Sequence, residues 1–142
     1  MDHVLYEVDD AVATLTLNLP AKLNPIAKPL QEALRDALAR AADDRAVRAV
    51  VITGAGKAFC VGADLSAMRE PAPGKTLGDD TAAWMQSLSN PLITTIRAMP
   101  VPVVAAVNGP AAGAGVGLAL AADVVVAARS AYFYLPFLPK LG

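Results

Sequence analysis

The sequence predicts an α/β fold, and three observations carry that prediction. Short apolar runs of strand type alternate along the chain with stretches whose apolar residues follow helical spacing. Two of the apolar runs, Ala49–Thr53 and Val101–Val107, are each followed by a glycine-rich loop, so the chain reads as two similar halves. With 142 residues, 55% of them hydrophobic and 18% charged, the chain can bury one substantial core.

The elements follow in order. Val4–Val8 and Ala11–Leu17 read as two strands, with "EVDD" making the turn between them. A loop dense in Pro and Asn, "NLPAKLNPIAKP", leads to a helix in which Leu30, Ala33, Leu34, Ala37, Leu38 and Ala41 form an inner face. Gln31, Glu32, Arg35, Asp36 and Arg40 are assigned to its outer face. The strand Ala49–Thr53 ends at "GAGK". Glu70–Asp80, rich in Pro, Gly and charge, is expected to be a mobile loop. Asp80–Met99 is helical in pattern, with Trp84, Leu88, Leu92 and Ile96 on one face, and Asn90-Pro91 is expected to break it in two. Val101–Val107 and Asp123–Ala128 complete the strands.

Composition narrows the function classes. A net charge of −1 and a pI near 5.7 give no electrostatic footprint for nucleic acid or an anionic membrane. The lone Cys60 has no internal disulfide partner, which fits a reducing cytoplasmic setting, and it reads as a small core residue. The acidic start "MDHVLYEVDD" lacks the cationic and apolar regions of a signal peptide, and His3 reads as a surface histidine.

Two loops rich in glycine and alanine stand out, and the second carries no acid, base, nucleophile or metal ligand. One contains Gly62-Ala63-Asp64-Leu65; the other is "NGPAAGAGVG", Asn108–Gly117. Each follows a strand and opens what should be a helix, where backbone N–H groups lack internal partners. Small residues let a ligand approach such groups closely. Two of them converging on one oxygen would form an oxyanion hole. Tight helix–strand packing is the plainer explanation of either loop taken alone.

Two rival readings do not fit. A dinucleotide loop needs a third glycine where Leu118 stands, and no acid-ended strand follows at the required spacing. The uncharged stretch between Arg97 and Asp123 is long enough to suggest a membrane span, but Pro100, Pro102, Asn108, Gly109 and Pro110 interrupt it.

Together, "LNLPAKLNPI" (Leu17–Ile26), "AFCVGADL" (Ala58–Leu65) and "PVPVVAAVNGPAAGAGVGLALAADVVVAA" (Pro100–Ala128) resemble the crotonase family of enoyl-CoA hydratases and isomerases. The "GPAAGAG" form looks most like the isomerase branch acting on ring-epoxidised phenylacetyl-CoA. The resemblance implies a crotonase-type spiral of ββα units, with residues 1–142 as its N-terminal core. The family's C-terminal helices, which cover the site and build trimers, are absent from this chain. It therefore implies a homotrimer or hexamer, or association with that missing half. It also implies that the apolar Val101–Ala128 segment needs cover.

The same resemblance implies an acyl-CoA thioester as ligand, with no metal or redox cofactor. Ala63 and Ala114 would supply the two backbone donors to the thioester oxygen. Ala63, Asp64 and Leu65 would lie along the adenine and pantetheine, flanked by Lys22 and Leu23. Pro110 and Gly113 would shape the acyl pocket. Lys22 also reads as an ordinary surface lysine, and Asp64 as a first-turn helix acid.

The family's hydratases carry one glutamate where this chain has Gly117, and a second near Phe137 and Leu138. Hydration needs groups to activate water and manage the α-proton, so isomerisation is favoured, with the proton carrier beyond Gly142. The alternative is a catalytically inactive acyl-CoA-binding fragment or partner subunit.

Overall fold

A computed structural model describes residues 2–64 and 73–136. The first two strands, β1 (Val4–Asp9) and β2 (Val12–Leu17), form an antiparallel hairpin. Its two-residue turn, Asp10-Ala11, has both φ angles positive at 45° and 63°. That is the geometry whose twist matches a right-handed hairpin. Alternation then sends Ala13, Leu15 and Leu17 inward, all fully buried.

Three more strands extend β2 in parallel: β3 (Ala49–Gly54), β4 (Val103–Val107) and β6 (Val124–Ala127). The sheet order is β1-β2-β3-β4-β6. A second, two-stranded parallel sheet pairs β5 (Ala111–Ala112) with β7 (Phe133–Tyr134). Val50, Ile52, Val103, Ala105 and Val107 are buried at the sheet centre, whereas Val124, Val125 and Val126 of β6 are 51%, 36% and 58% exposed.

Helix α1 (Lys28–Asp43) starts with Pro29 in its first turn, where the missing N–H costs nothing. It packs over β1 and β2, and Arg40 stacks its guanidinium 4.0 Å from the Tyr6 ring centroid. Its buried face is Leu30, Gln31, Leu34, Ala37, Leu38 and Ala41. Gln31 therefore belongs inside, not on the outer face the sequence assigned it. It precedes Leu34 by three residues and Leu38 by seven, so helical geometry outranks its polarity. His3, expected at the surface, is half-buried.

The second helical region also departs from expectation. Helix α2 (Leu77–Trp84) begins before Asp80, because Thr76 and Asp79 form a reciprocal capping box. Glu70 to Ala72, assigned to the loop ahead of it, lie outside the described residues. Asn90-Pro91 does not break the chain. A π turn over Met85–Ser89 leads directly into α3 (Asn90–Arg97), with the Asn90 N–H donating to the Met85 carbonyl. The wider turn accommodates Pro91, which has no N–H for an ordinary helical bond. It also shifts the helical phase. Leu88, Leu92 and Ile96 stay buried, whereas Trp84, ahead of the turn, is 39% exposed. Helix α4 (Ala114–Leu120) follows β5.

Two asparagine side chains bind the segment after β3 to its neighbours. Asn24, wholly buried, accepts the Leu19 N–H at 2.8 Å and donates to the carbonyls of Ala55 (2.9 Å), Ala58 (2.9 Å) and Phe59 (3.3 Å). Asn108 accepts the Gly54 N–H at 3.1 Å and donates to the Gly56 and Ala58 carbonyls at 3.1 and 3.4 Å. Asn24→Ala strands several buried backbone groups, so the unfolding free energy should fall by roughly 2–4 kcal/mol in urea denaturation. Asn24→Gly should lose about 1 kcal/mol less, because the native φ of +55° strains alanine but not glycine. Equal losses from the two variants would refute the backbone part of this account.

Candidate active site

The two glycine-rich loops meet behind the C-terminal ends of β3 and β4. Cys60 is bridged to Ala111, and the Cys60 carbonyl accepts the Ala112 N–H at 2.9 Å. The Pro110 carbonyl accepts the N–H groups of Phe59 and Cys60 at 3.1 and 3.3 Å. Two glycines make this approach possible. Gly62 has φ +86°, and a Cβ there would lie 2.7 Å from the Ala112 carbonyl oxygen and 3.2 Å from the Ala114 nitrogen. A Cβ on Gly115 would collide with the Cys60 carbonyl.

The peptide groups of Ala63 and Ala114 are oriented by their neighbours. The Gly62 carbonyl accepts the Ile26 N–H at 2.6 Å. In a trans peptide the N–H opposes the preceding carbonyl, so the Ala63 N–H points away from Ile26. The Gly113 carbonyl accepts the Val116 N–H at 3.0 Å inside α4, which sends the Ala114 N–H outward from the helix start. Ala63 and Ala114 are both exposed, and neither N–H meets a hydrogen-bond partner among the described residues. The structure thus brings together two outward-facing backbone donors.

The remaining expected residues fall around this centre. Lys22 and Asp64 come together as an ion pair at 3.7 Å, with side chains 62% and 16% exposed. Such a pair contributes about 0–1 kcal/mol, so its importance lies in placement. Leu23 closes the Pro20–Lys22 turn in a left-handed conformation, φ +63°, and is 41% exposed beside it. Ala63 lies in a β-bridge with Ile26. Leu65, and the stretch where the sequence places that helix, lie outside the described residues, as do Phe137 and Leu138.

A cavity of about 180 Å³ opens beside Ala114 and Ile26, the bridge partner of Ala63. Its wall is formed by Ile26, Gln31, Met85, Ser89, Asn90, Leu92, Ile93, Ala114, Gly117 and Leu118. Among the described residues, neither Pro110 nor Gly113 reaches this wall. Pro110 clamps the two loops, and the Gly113 N–H bonds the Tyr134 carbonyl at 2.9 Å. Gly117 faces open space: a Cβ there would touch nothing within 4 Å. Gln31 is wholly buried, and both ends of its amide lack partners. Each unmade bond of that kind costs about 1–3 kcal/mol. Sequence reading missed Gln31 because it sorted residues by polarity; its position one after Leu30 and three before Leu34 was the usable signal.

Cys60 is buried beneath the loops. Burial pushes its thiol from an ordinary 9.0 up to about 11, and a hydrogen bond from the Gly62 backbone pulls only partly the other way. Among the described residues, no group of three or more His, Cys, Asp or Glu side chains could hold a metal ion. No described helix is long and apolar enough to cross a membrane.

A mixed sheet in the order β1-β2-β3-β4-β6, with helices interleaved along the chain, is an α/β fold of the crotonase class, and comparison with known proteins agrees. The enoyl-CoA hydratase/isomerase family model matches residues 7–142, and the chain belongs to that family. It is 40% identical over its whole length to 1,2-epoxyphenylacetyl-CoA isomerase of Escherichia coli, and covers 53% of that protein. It is 45% identical over 99% of its length to "Probable enoyl-CoA hydratase EchA14" of Mycobacterium tuberculosis, covering 52% of it. Among solved structures, an enoyl-CoA hydratase/carnithine racemase from Magnetospirillum magneticum superposes with a TM-score of 0.85 at 33% identity. That match covers 98% of this chain and 51% of the other. An enoyl-CoA hydratase from Mycobacterium avium subsp. paratuberculosis gives 0.77 at 38% identity, covering 96% and 48%. The chain spans about half the length of the curated relatives it matches.

The thiol makes a check on the site's packing. Native Cys60 should resist iodoacetamide at neutral pH and react once the chain is denatured. Because the folded pKa is raised, this group's contribution to stability is complete below about pH 9 and is lost as pH climbs toward about 11. Rapid alkylation of the native protein at neutral pH would contradict the burial described.

Proposed function

We propose that this chain supplies the thioester-binding part of an enzyme acting on acyl-CoA substrates, in which the Ala63 and Ala114 N–H groups hold the thioester carbonyl oxygen. One observation supports the reading: two outward backbone donors from adjoining loops, unpartnered among the described residues, one of them in the wall of a cavity. As a proton leaves the carbon next to the thioester, negative charge moves onto that oxygen. Two fixed dipoles stabilise it there without reorganising. Lys22, Leu23, Asp64 and Leu65 would border the coenzyme A part, and the cavity would take the acyl group. No cofactor is proposed beyond the coenzyme A of the substrate itself.

Isomerisation is favoured over hydration. Gly117 stands where a hydratase glutamate is expected, and Phe137 and Leu138 are apolar by sequence. The relatives carry both names, an isomerase at 40% identity and a probable hydratase at 45%, so the choice rests on these residues. The proton carrier would lie in the other half of the enzyme, and assembly into trimers or hexamers belongs to the same proposal.

The test is acetoacetyl-CoA, whose enolate imitates the charged intermediate. Calorimetry on the full-length protein should show binding, and absence of binding by folded protein would sink the proposal. Ala114→Pro isolates the donor. Proline suits the first position of a helix and lacks the N–H. Gly113, at φ 52° and ψ −122°, has the mirror of an extended conformation and tolerates a following proline. Turnover should fall by about 10²–10³-fold with little change in stability. Gly117→Glu fits the open space yet should not create crotonyl-CoA hydration, since one carboxylate cannot fill both roles.

A further inference from the structure

The cavity beside Ala114 is mostly apolar, with one feature that an apolar occupant leaves unexplained. Gln31, in the first turns of α1, is part of its wall and wholly buried, and among the described residues neither Nε2 nor Oε1 has a hydrogen-bond partner. A leucine would fill the same place on the Leu30, Leu34 and Leu38 face without leaving polar atoms unpaired. Buried amides are ordinarily satisfied, and an unsatisfied one in a cavity wall is a polar contact waiting for a partner. The Met85–Ser89 π turn contributes Met85 and Ser89 to the wall, and π turns of this kind often mark working sites.

We infer that Gln31 selects acyl groups carrying a hydrogen-bonding oxygen along the chain, its amide donating to that oxygen while the thioester sits at Ala63 and Ala114. This rests on the acyl-CoA reading above and deepens it. A site built to bond an oxygen rejects the analogue lacking it more strongly than an apolar pocket rejects an added oxygen. Gln31 is thus a specificity residue, with no part in the proton transfers.

The experiment uses the full-length protein and two kinds of unreactive ligand: hexanoyl-CoA, and hexanoyl-CoA analogues with one ketone oxygen at successive chain positions. Wild-type protein should bind one of the ketone analogues about tenfold or more tightly than hexanoyl-CoA. Gln31→Leu should reverse that order, with a melting temperature equal to or above wild type. Gln31→Met, closer in length, gives the same comparison if the leucine variant does not fold. An unchanged preference in a folded variant, or equal weakening of both ligands, would overturn the role of Gln31 while the thioester reading stands. Failure of wild-type protein to bind any of these thioesters would overturn the thioester reading, and this inference with it.

Discussion

The buried amide of Asn24 is the interaction on which the rest of this arrangement depends. Its oxygen holds the Leu19 N–H and its nitrogen holds three carbonyls beyond β3, so one side chain ties the loop before α1 to the loop after the sheet. Two residues later the Ile26 N–H takes the Gly62 carbonyl, and that bond turns the Ala63 N–H outward. Lys22 reaches Asp64 across the same junction. The left-handed backbone at Leu23 and Asn24 is what reverses the chain sharply enough for all of these contacts. Asn108 repeats the device from the far side, so the Gly54–Phe59 segment is held from both flanks.

What these clamps position is main chain rather than side chain. Parallel strands end at the same level, and the loops leaving β3 and β4 lie edge to edge along the Cys60–Ala111 bridge. The strand order therefore places two sequence-distant peptide groups side by side, as ligand sites at strand C-termini commonly require. Cys60 beneath them is uncharged at neutral pH, so no ionised thiol lies under the bridged loops.

Much of this was legible in the sequence, for identifiable reasons. Apolar runs at Ala49–Thr53 and Val101–Val107, each ended by turn residues, read as central strands, and the spacing from Leu30 to Ala41 reads as a one-sided helix. The loops at Gly62 and Gly113 were visible because glycine and alanine in such density leave the backbone as the chemistry. Other features were hidden because several side chains act against type. Gln31 is polar but inside, Trp84 is apolar but outside, and Asn24 resembles any loop asparagine until its partners, three of them 31 to 35 residues away, are seen. The π turn was hidden because Asn-Pro reads locally as a stop, while the surrounding packing carries the helix through it.

The donor pair has one more property. The residues that contribute the two N–H groups are already alanine, so a survey replacing each side chain in turn with alanine passes over both without a mark. Drift in their side chains is likewise screened from the peptide groups they carry, provided that the backbone path holds. Sensitivity would register instead at Gly62 and Gly115, which offer the ligand nothing and only let the loops close on each other. On the acyl-CoA reading proposed above, the positions where change is costly and the positions that would touch the substrate form different sets.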